Sequence, residues 1–117
     1  APRVSALAVS PDGKWIAEGG SDRRVRIRDA QSLEVDREFR VHDREVTGLA
    51  WHPRLPLLVT ACLDGTVRIW NSETGRFVEE LRVDPGETVL EISRDGVHLV
   101  VIWAGSVEWF EPGSYRP

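Results

Sequence analysis

Leu63-Asp64-Gly65-Thr66-Val67-Arg68-Ile69-Trp70-Asn71 decides the fold, because it restates, at an offset of 42 residues, Ser21-Asp22-Arg23-Arg24-Val25-Arg26-Ile27-Arg28-Asp29. Outward from this stretch the same offset lays Val46 on Val4, Leu49 on Leu7, Ala50 on Ala8 and Pro53 on Pro11. Downstream it lays Glu80, Arg82 and Val83 on Glu38, Arg40 and Val41. A fixed period of this length sets the architecture before local propensity does. A third, degraded copy begins near Glu87: Asp95-Gly96 answers Asp12-Gly13, and Val107 to Phe110 answers Val25 to Arg28. After Glu111 only Pro112 to Pro117 remain, too short and turn-like for the strand that closes each earlier copy.

Within each copy, runs of Val, Ile, Leu and aromatic residues alternate with turn residues, the signature of short strands. Pro11-Asp12-Gly13, Leu63-Asp64-Gly65, Ser72 to Gly75 and Arg94-Asp95-Gly96 supply the turns. Strands are predicted at 4–10, 15–20, 24–29, 34–41, 46–52, 57–62, 66–71, 76–83, 88–93, 97–103 and 106–111, with no helix. In the arginine-rich stretch, Val25 and Ile27 alternate with Arg26 and Arg28, so it reads as a strand with one apolar face rather than a basic patch. The expectation is a single all-β domain over 1–117. It is a partial β-propeller of about three four-stranded antiparallel blades, blade 1 near 4–41, blade 2 near 46–83 and an incomplete blade 3 near 88–111.

Composition narrows the function. A formal net charge of −4 argues against a nucleic-acid partner, since phosphates are met by an excess of Lys and Arg. Nothing approaches the roughly 18 unbroken apolar residues of a membrane helix, so no membrane role is expected. Cys62 is the single cysteine, which precludes an intrachain disulfide and weakly favours a cytoplasmic setting, the compartment being otherwise unknown. It reads as a small core residue. His42, His52 and His98 lack metal-ligand spacing, and Gly19-Gly20 has no Lys or helix after it to make a phosphate loop, so neither metal nor cofactor is expected. Trp15, Trp51, Trp103 and Trp109 read as packing between blades.

The chain resembles the WD-repeat family, whose repeats carry Gly-His early and Trp-Asp late. The second copy carries the resemblance: Val41-His42, Val46, Trp51-His52-Pro53, Leu63-Asp64-Gly65-Thr66 and Val67-Arg68-Ile69-Trp70-Asn71, with Val41 and Asn71 in place of the signature Gly and Asp. The resemblance implies a hydrogen-bonded tetrad of His42, Thr60, Asp64 and Trp70, which pins the turn to the strands. The rival reading, a His/Asp/hydroxyl catalytic triad, is disfavoured because Thr60 sits inside a predicted strand with no oxyanion donors in view. In the first copy Glu18 stands where Thr60 does and Arg28 where Trp70 does, while Asp22 keeps the Asp64 place. That suggests an ion pair of Arg28 with Glu18 or Asp22; the alternative is a hydrated Arg28 on an open face.

The family implies a non-catalytic platform for a protein or peptide partner. On the best-matched blade the partner-binding positions are Asp43, Glu45, Thr47 and Leu63, with Arg3, Ser5 and Ser21 as first-copy equivalents and Glu87 in the third. The competing reading is that these are ordinary solvated turn residues. Two further readings are a structural or sensing module completing a propeller in a larger protein, and a propeller-based enzyme, which the small or apolar first strands disfavour. Three blades fall short of the four to eight that normally close a ring. Further blades are therefore expected from a longer parent chain or from a homo-oligomer.

Overall fold

In Thr66–Asn71, Val67 and Ile69 point to one side and Arg68 and Trp70 to the other, and the same period of two runs through the matching strand Arg24–Asp29. The computed structural model describes residues 4–42, 44–83, 88–92, 99–103 and 106–110. Strands β1 (Val4–Val9), β2 (Trp15–Gly20), β3 (Arg24–Asp29) and β4 (Val35–Arg40) form one antiparallel sheet in sequence order. Strands β5 (Val46–Trp51), β6 (Leu57–Cys62), β7 (Thr66–Asn71) and β8 (Phe77–Arg82) repeat it. Strands β9 (Thr88–Ile92), β10 (Leu99–Trp103) and β11 (Ser106–Phe110) make a third sheet of three described strands. The chain is thus all-β and built as partial propeller blades.

The two complete sheets share their irregularities as well as their strands. A β-bulge falls at Ser5 in β1 and at Thr47 in β5, so the same position is re-aimed in both copies. Gly65 and Gly75 take positive φ, 88° and 76°, and the first copy places Arg23 (φ 68°) and Leu33 (φ 63°) at the matching positions. A left-handed backbone costs a residue with a Cβ about 1–2 kcal/mol, so two turns of the first copy are strained where the second is relaxed.

The sheets pack face to face, with β1 against β5 and β5 against β9. Between the first two sheets lie Ala17, Val25 and Ile27 from one side and Val46, Leu49, Leu58 and Trp70 from the other. Trp15 and Trp51 pack at the margin of this core, and Trp51 Nε1–H donates to Ala8 O at 3.0 Å. The second interface sets Leu57, Val59, Ala61, Val67 and Ile69 against Leu90. Every residue of β6 is buried, because its alternating side chains face two interfaces at once. Each fully buried Val, Leu or Ile contributes about 1.5–3 kcal/mol, so this strand is the most heavily anchored of the described ones. At the first interface the sheets approach so closely that a Cβ on Gly19 would stand 2.8 Å from Val46 Cγ1.

The opposite face of the first sheet is open. Val4, Leu7 and Val9 are 50%, 64% and 58% exposed, although their repeat counterparts Val46 and Leu49 are buried against the first sheet and Trp51 is half-buried there. Leu33 and Val35 are also exposed.

Candidate functional site

Within the second sheet, β6 and β7 set Thr60 beside Trp70, and the segment leading into β5 brings His42 against them. All three are buried. Trp70 Nε1–H donates to Thr60 Oγ1 at 2.9 Å, and Thr60 Oγ1 lies 2.7 Å from His42 Nε2 but 3.4 Å from Arg68 O. The indole can only donate, so Thr60 Oγ1 accepts from Trp70 and continues the polar chain to His42 Nε2. Asp64 sits differently. It is exposed at the β6–β7 turn, and its Oδ1 accepts from Thr66 N at 2.9 Å. Desolvation works to raise its carboxyl, but the Thr66 hydroxyl and backbone N–H, the Cys62 thiol and the His42 ring outweigh it and hold the carboxyl below its ordinary value. Asp64 is exposed at this turn, its bonds to Thr66 are local and its coupling to His42 is electrostatic. The Thr60 hydroxyl is wholly enclosed by these partners and is not presented to solvent.

In the first sheet the matching positions are ionic. Arg28 Nε donates to Glu18 Oε1 at 2.9 Å, Arg28 Nη2 lies 2.8 Å from the same oxygen, and Arg28 Nη1 donates to Leu33 O at 2.9 Å. Asp22 is not Arg28's partner; it pairs with Arg26, whose guanidinium overcomes the cost of desolvation and lowers the Asp22 carboxyl. Arg24 reaches Glu38 at 2.7 Å, and Arg26 reaches it at 3.3 Å, so Glu38 is also held low, chiefly by Arg24. The three arginines of β3 thus each meet a carboxylate.

The positions expected from the sequence to face a partner come together in part. Leu63 N–H donates to Glu45 O at 3.0 Å, tying the β6–β7 turn to the residue before β5. Thr47 is the bulge residue of β5; Glu45, Thr47 and Leu63 are each half-buried. In the first copy Ser21 is exposed and Ser5 is the bulge residue. Arg3, Asp43, Glu87 and His98 lie outside the described residues, as do the side chains of Trp103 and Trp109.

Three polar devices escape a residue-by-residue reading. Arg68 spans two partners, with Nε donating to Glu80 at 2.9 Å and Nη1 to Val41 O at 2.8 Å; its hydrogen bond is the main cause that lowers the Glu80 carboxyl. The signal was present, since the Arg/Glu combination recurs as Arg26 and Glu38. His52 is buried and its Nδ1 accepts from the N–H groups of Arg54 and Leu55 at 3.0 and 2.9 Å, which makes it a turn cap. Arg37 stacks over Trp15, 4.8 Å from the ring centre, and donates to Ser72 O across the first interface. Among the described residues no three His, Cys, Asp or Glu side chains are grouped to hold a metal.

A sequence profile described as "WD domain, G-beta repeat" matches residues 1–29 and 33–71. The chain belongs to the WD-repeat family. It is 36% identical over 104 residues to Actin-interacting protein 1 of Drosophila melanogaster, covering 87% of this chain and 16% of that protein. It is 34% identical over 100 residues to a U3 snoRNP-associated protein-like protein of Arabidopsis thaliana, covering 77% of this chain and 21% of that one. To pre-mRNA-processing factor 19 of Bos taurus it is 30% identical over 101 residues, covering 85% of this chain and 20% of the relative. The WD-repeat chain therefore spans about a fifth or less of these relatives.

Proposed function

We propose that this WD-repeat chain is a non-catalytic scaffold that presents a rigid face to a protein or peptide partner. The observation that carries the reading is the backbone hydrogen bond joining Leu63 to Glu45, between the residue after β6 and the residue before β5, in the sheet that also holds the buried His42–Thr60–Trp70 chain. Such mounting lowers the ordering cost of binding, because the loop and turn are already fixed. Glu45 and Leu63 together suit a segment bearing a basic residue next to an apolar one. Relatives named as actin-interacting and as snoRNP-associated agree with an interaction role. The pairing of Arg24, Arg26 and Arg28 with carboxylates supports a protein partner over nucleic acid.

A photo-crosslinking amino acid placed at 63, and for comparison at the exposed Glu79, tests this. Crosslinks at 63 to defined peptides of particular proteins, containing Lys or Arg, are the expected result; equal, scattered crosslinking at both positions would remove the reading.

A second reading, completion of a larger propeller, is favoured by the exposed Val4, Leu7 and Val9. Their counterparts Val46 and Leu49 are covered by the first sheet, so a further blade from a parent chain or a second copy is the natural cover. Light scattering after size exclusion tests this for the chain alone, where a stable, monodisperse monomer would count against self-association.

A further inference from the structure

On another side of the molecule the turns Ser10–Lys14 and His52–Pro56 stand across the first interface, and a cleft of about 420 Å³ runs between them. Its size lies within the roughly 300–1,000 Å³ of small-ligand sites. Trp15 and Trp51, both half-buried, contribute one indole from each sheet, and Pro11, Pro53 and Pro56 add rings of fixed backbone geometry. The walls are held in place. Ser10 Oγ donates to Asp12 at 2.6 Å and accepts from Trp15 N–H at 3.0 Å, His52 caps the second turn, and Arg37 ties Trp15 to the Ser72 carbonyl.

The lining says what fits. Turns rather than strand edges line the cleft, so a ligand gains little by adding a strand. A polyproline II segment, whose backbone stays hydrated, suits such a surface and packs its rings on indoles. Asp12 from the first sheet and Glu73 from the second supply carboxylates, and Asp29 lines an adjoining cleft that shares Trp15. Against these three stand Arg54 and Lys14, while the Arg37 guanidinium on Trp15 is paired with Asp36, so the rim keeps one carboxylate in excess. Trp15 already accepts one guanidinium, that of Arg37. We infer that this inter-blade cleft is a docking groove for a proline-rich partner segment carrying an arginine or lysine, distinct from the Glu45/Leu63 face.

The test uses the full chain uniformly labelled with an NMR-active nitrogen isotope, so that backbone and indole N–H signals are both seen, titrated with a proline-rich hexapeptide bearing one central arginine and with the same peptide bearing glutamate instead. Saturable shifts of the Trp15 and Trp51 indole N–H signals are expected with the first peptide and not with the second. Glu73→Lys, at an exposed position, should weaken the arginine peptide about fivefold, and Glu79→Lys on a distant strand should leave it unchanged. Absence of saturable shifts, equal binding of both peptides, or indifference to Glu73→Lys would overturn the inference. Shifts confined to the Glu45/Leu63 region would also overturn it while leaving the scaffold reading intact.

Discussion

Replacing Thr60 by valine keeps the side-chain shape at a fully buried position and deletes the hydroxyl that joins His42 to Trp70. Two groups then lose a partner inside the first interface: the Trp70 indole N–H and His42 Nε2. Each buried polar group left unsatisfied costs about 1–3 kcal/mol, and the hydroxyl's own relief from burial offsets part of that. The expected net loss is about 2–4 kcal/mol, a large share of the stability of a small domain. Urea denaturation followed by tryptophan fluorescence measures it, with a lower midpoint and an unchanged slope marking a stability effect rather than an altered unfolded state. Thr60→Ser, which retains the hydroxyl and loses one methyl, is expected to lose only about 1 kcal/mol. If Thr60→Val unfolded within about 0.5 kcal/mol of the parent, the buried polar chain would not be a stabilising device and the reasoning would fail.

Asp64→Ala should lose no more than about 1 kcal/mol in the same assay, since the carboxylate is exposed and chiefly caps Thr66 N; a loss matching that of Thr60→Val would show that Asp64 is an equal member of the chain. Arg23→Gly and Leu33→Gly should each stabilise by about 0.5–1 kcal/mol, because relief of a left-handed strain of about 1–2 kcal/mol exceeds the entropic cost of glycine, and thermal melts with no gain would refute it. The Asp22, Asp64, Glu38 and Glu80 carboxyls are all held below their ordinary values, so their stabilisation is complete at neutral pH. It is lost as pH falls through and below those values, 3.8 for Asp and 4.5 for Glu. The melting temperature should therefore drop between about pH 5 and pH 3, and an unchanged value across that range would contradict the ion-pair assignments.

The strands were legible because alternation and turn chemistry agree: 57–62 and 66–71 coincide with β6 and β7, and the stretch 34–41 encloses β4 at Val35–Arg40. The period also carried the bulges and the Arg/Glu pairs into both copies. What it could not carry was the choice among partners of similar reach. Glu18 and Asp22 both lie near Arg28 in sequence terms, and only the packed sheet shows Arg26 taking Asp22 and leaving Glu18 to Arg28. The exposure of Asp64 was likewise hidden, since burial at a turn depends on how the neighbouring loop covers it. His52 gave no local signal, because a histidine that caps a turn has no fixed companion residue.

Gly19 and Ala61 occupy the same place in the period, yet the space beside them differs. Ala61 is accommodated within the second interface, whereas at Gly19 a methyl would meet Val46. The two units have therefore diverged as parts with assigned seats. A duplication that replaced the first by a second copy of the other would import that methyl into the tighter seam, so shuffling these repeats is constrained by the spacing of each joint as well as by the shared motif.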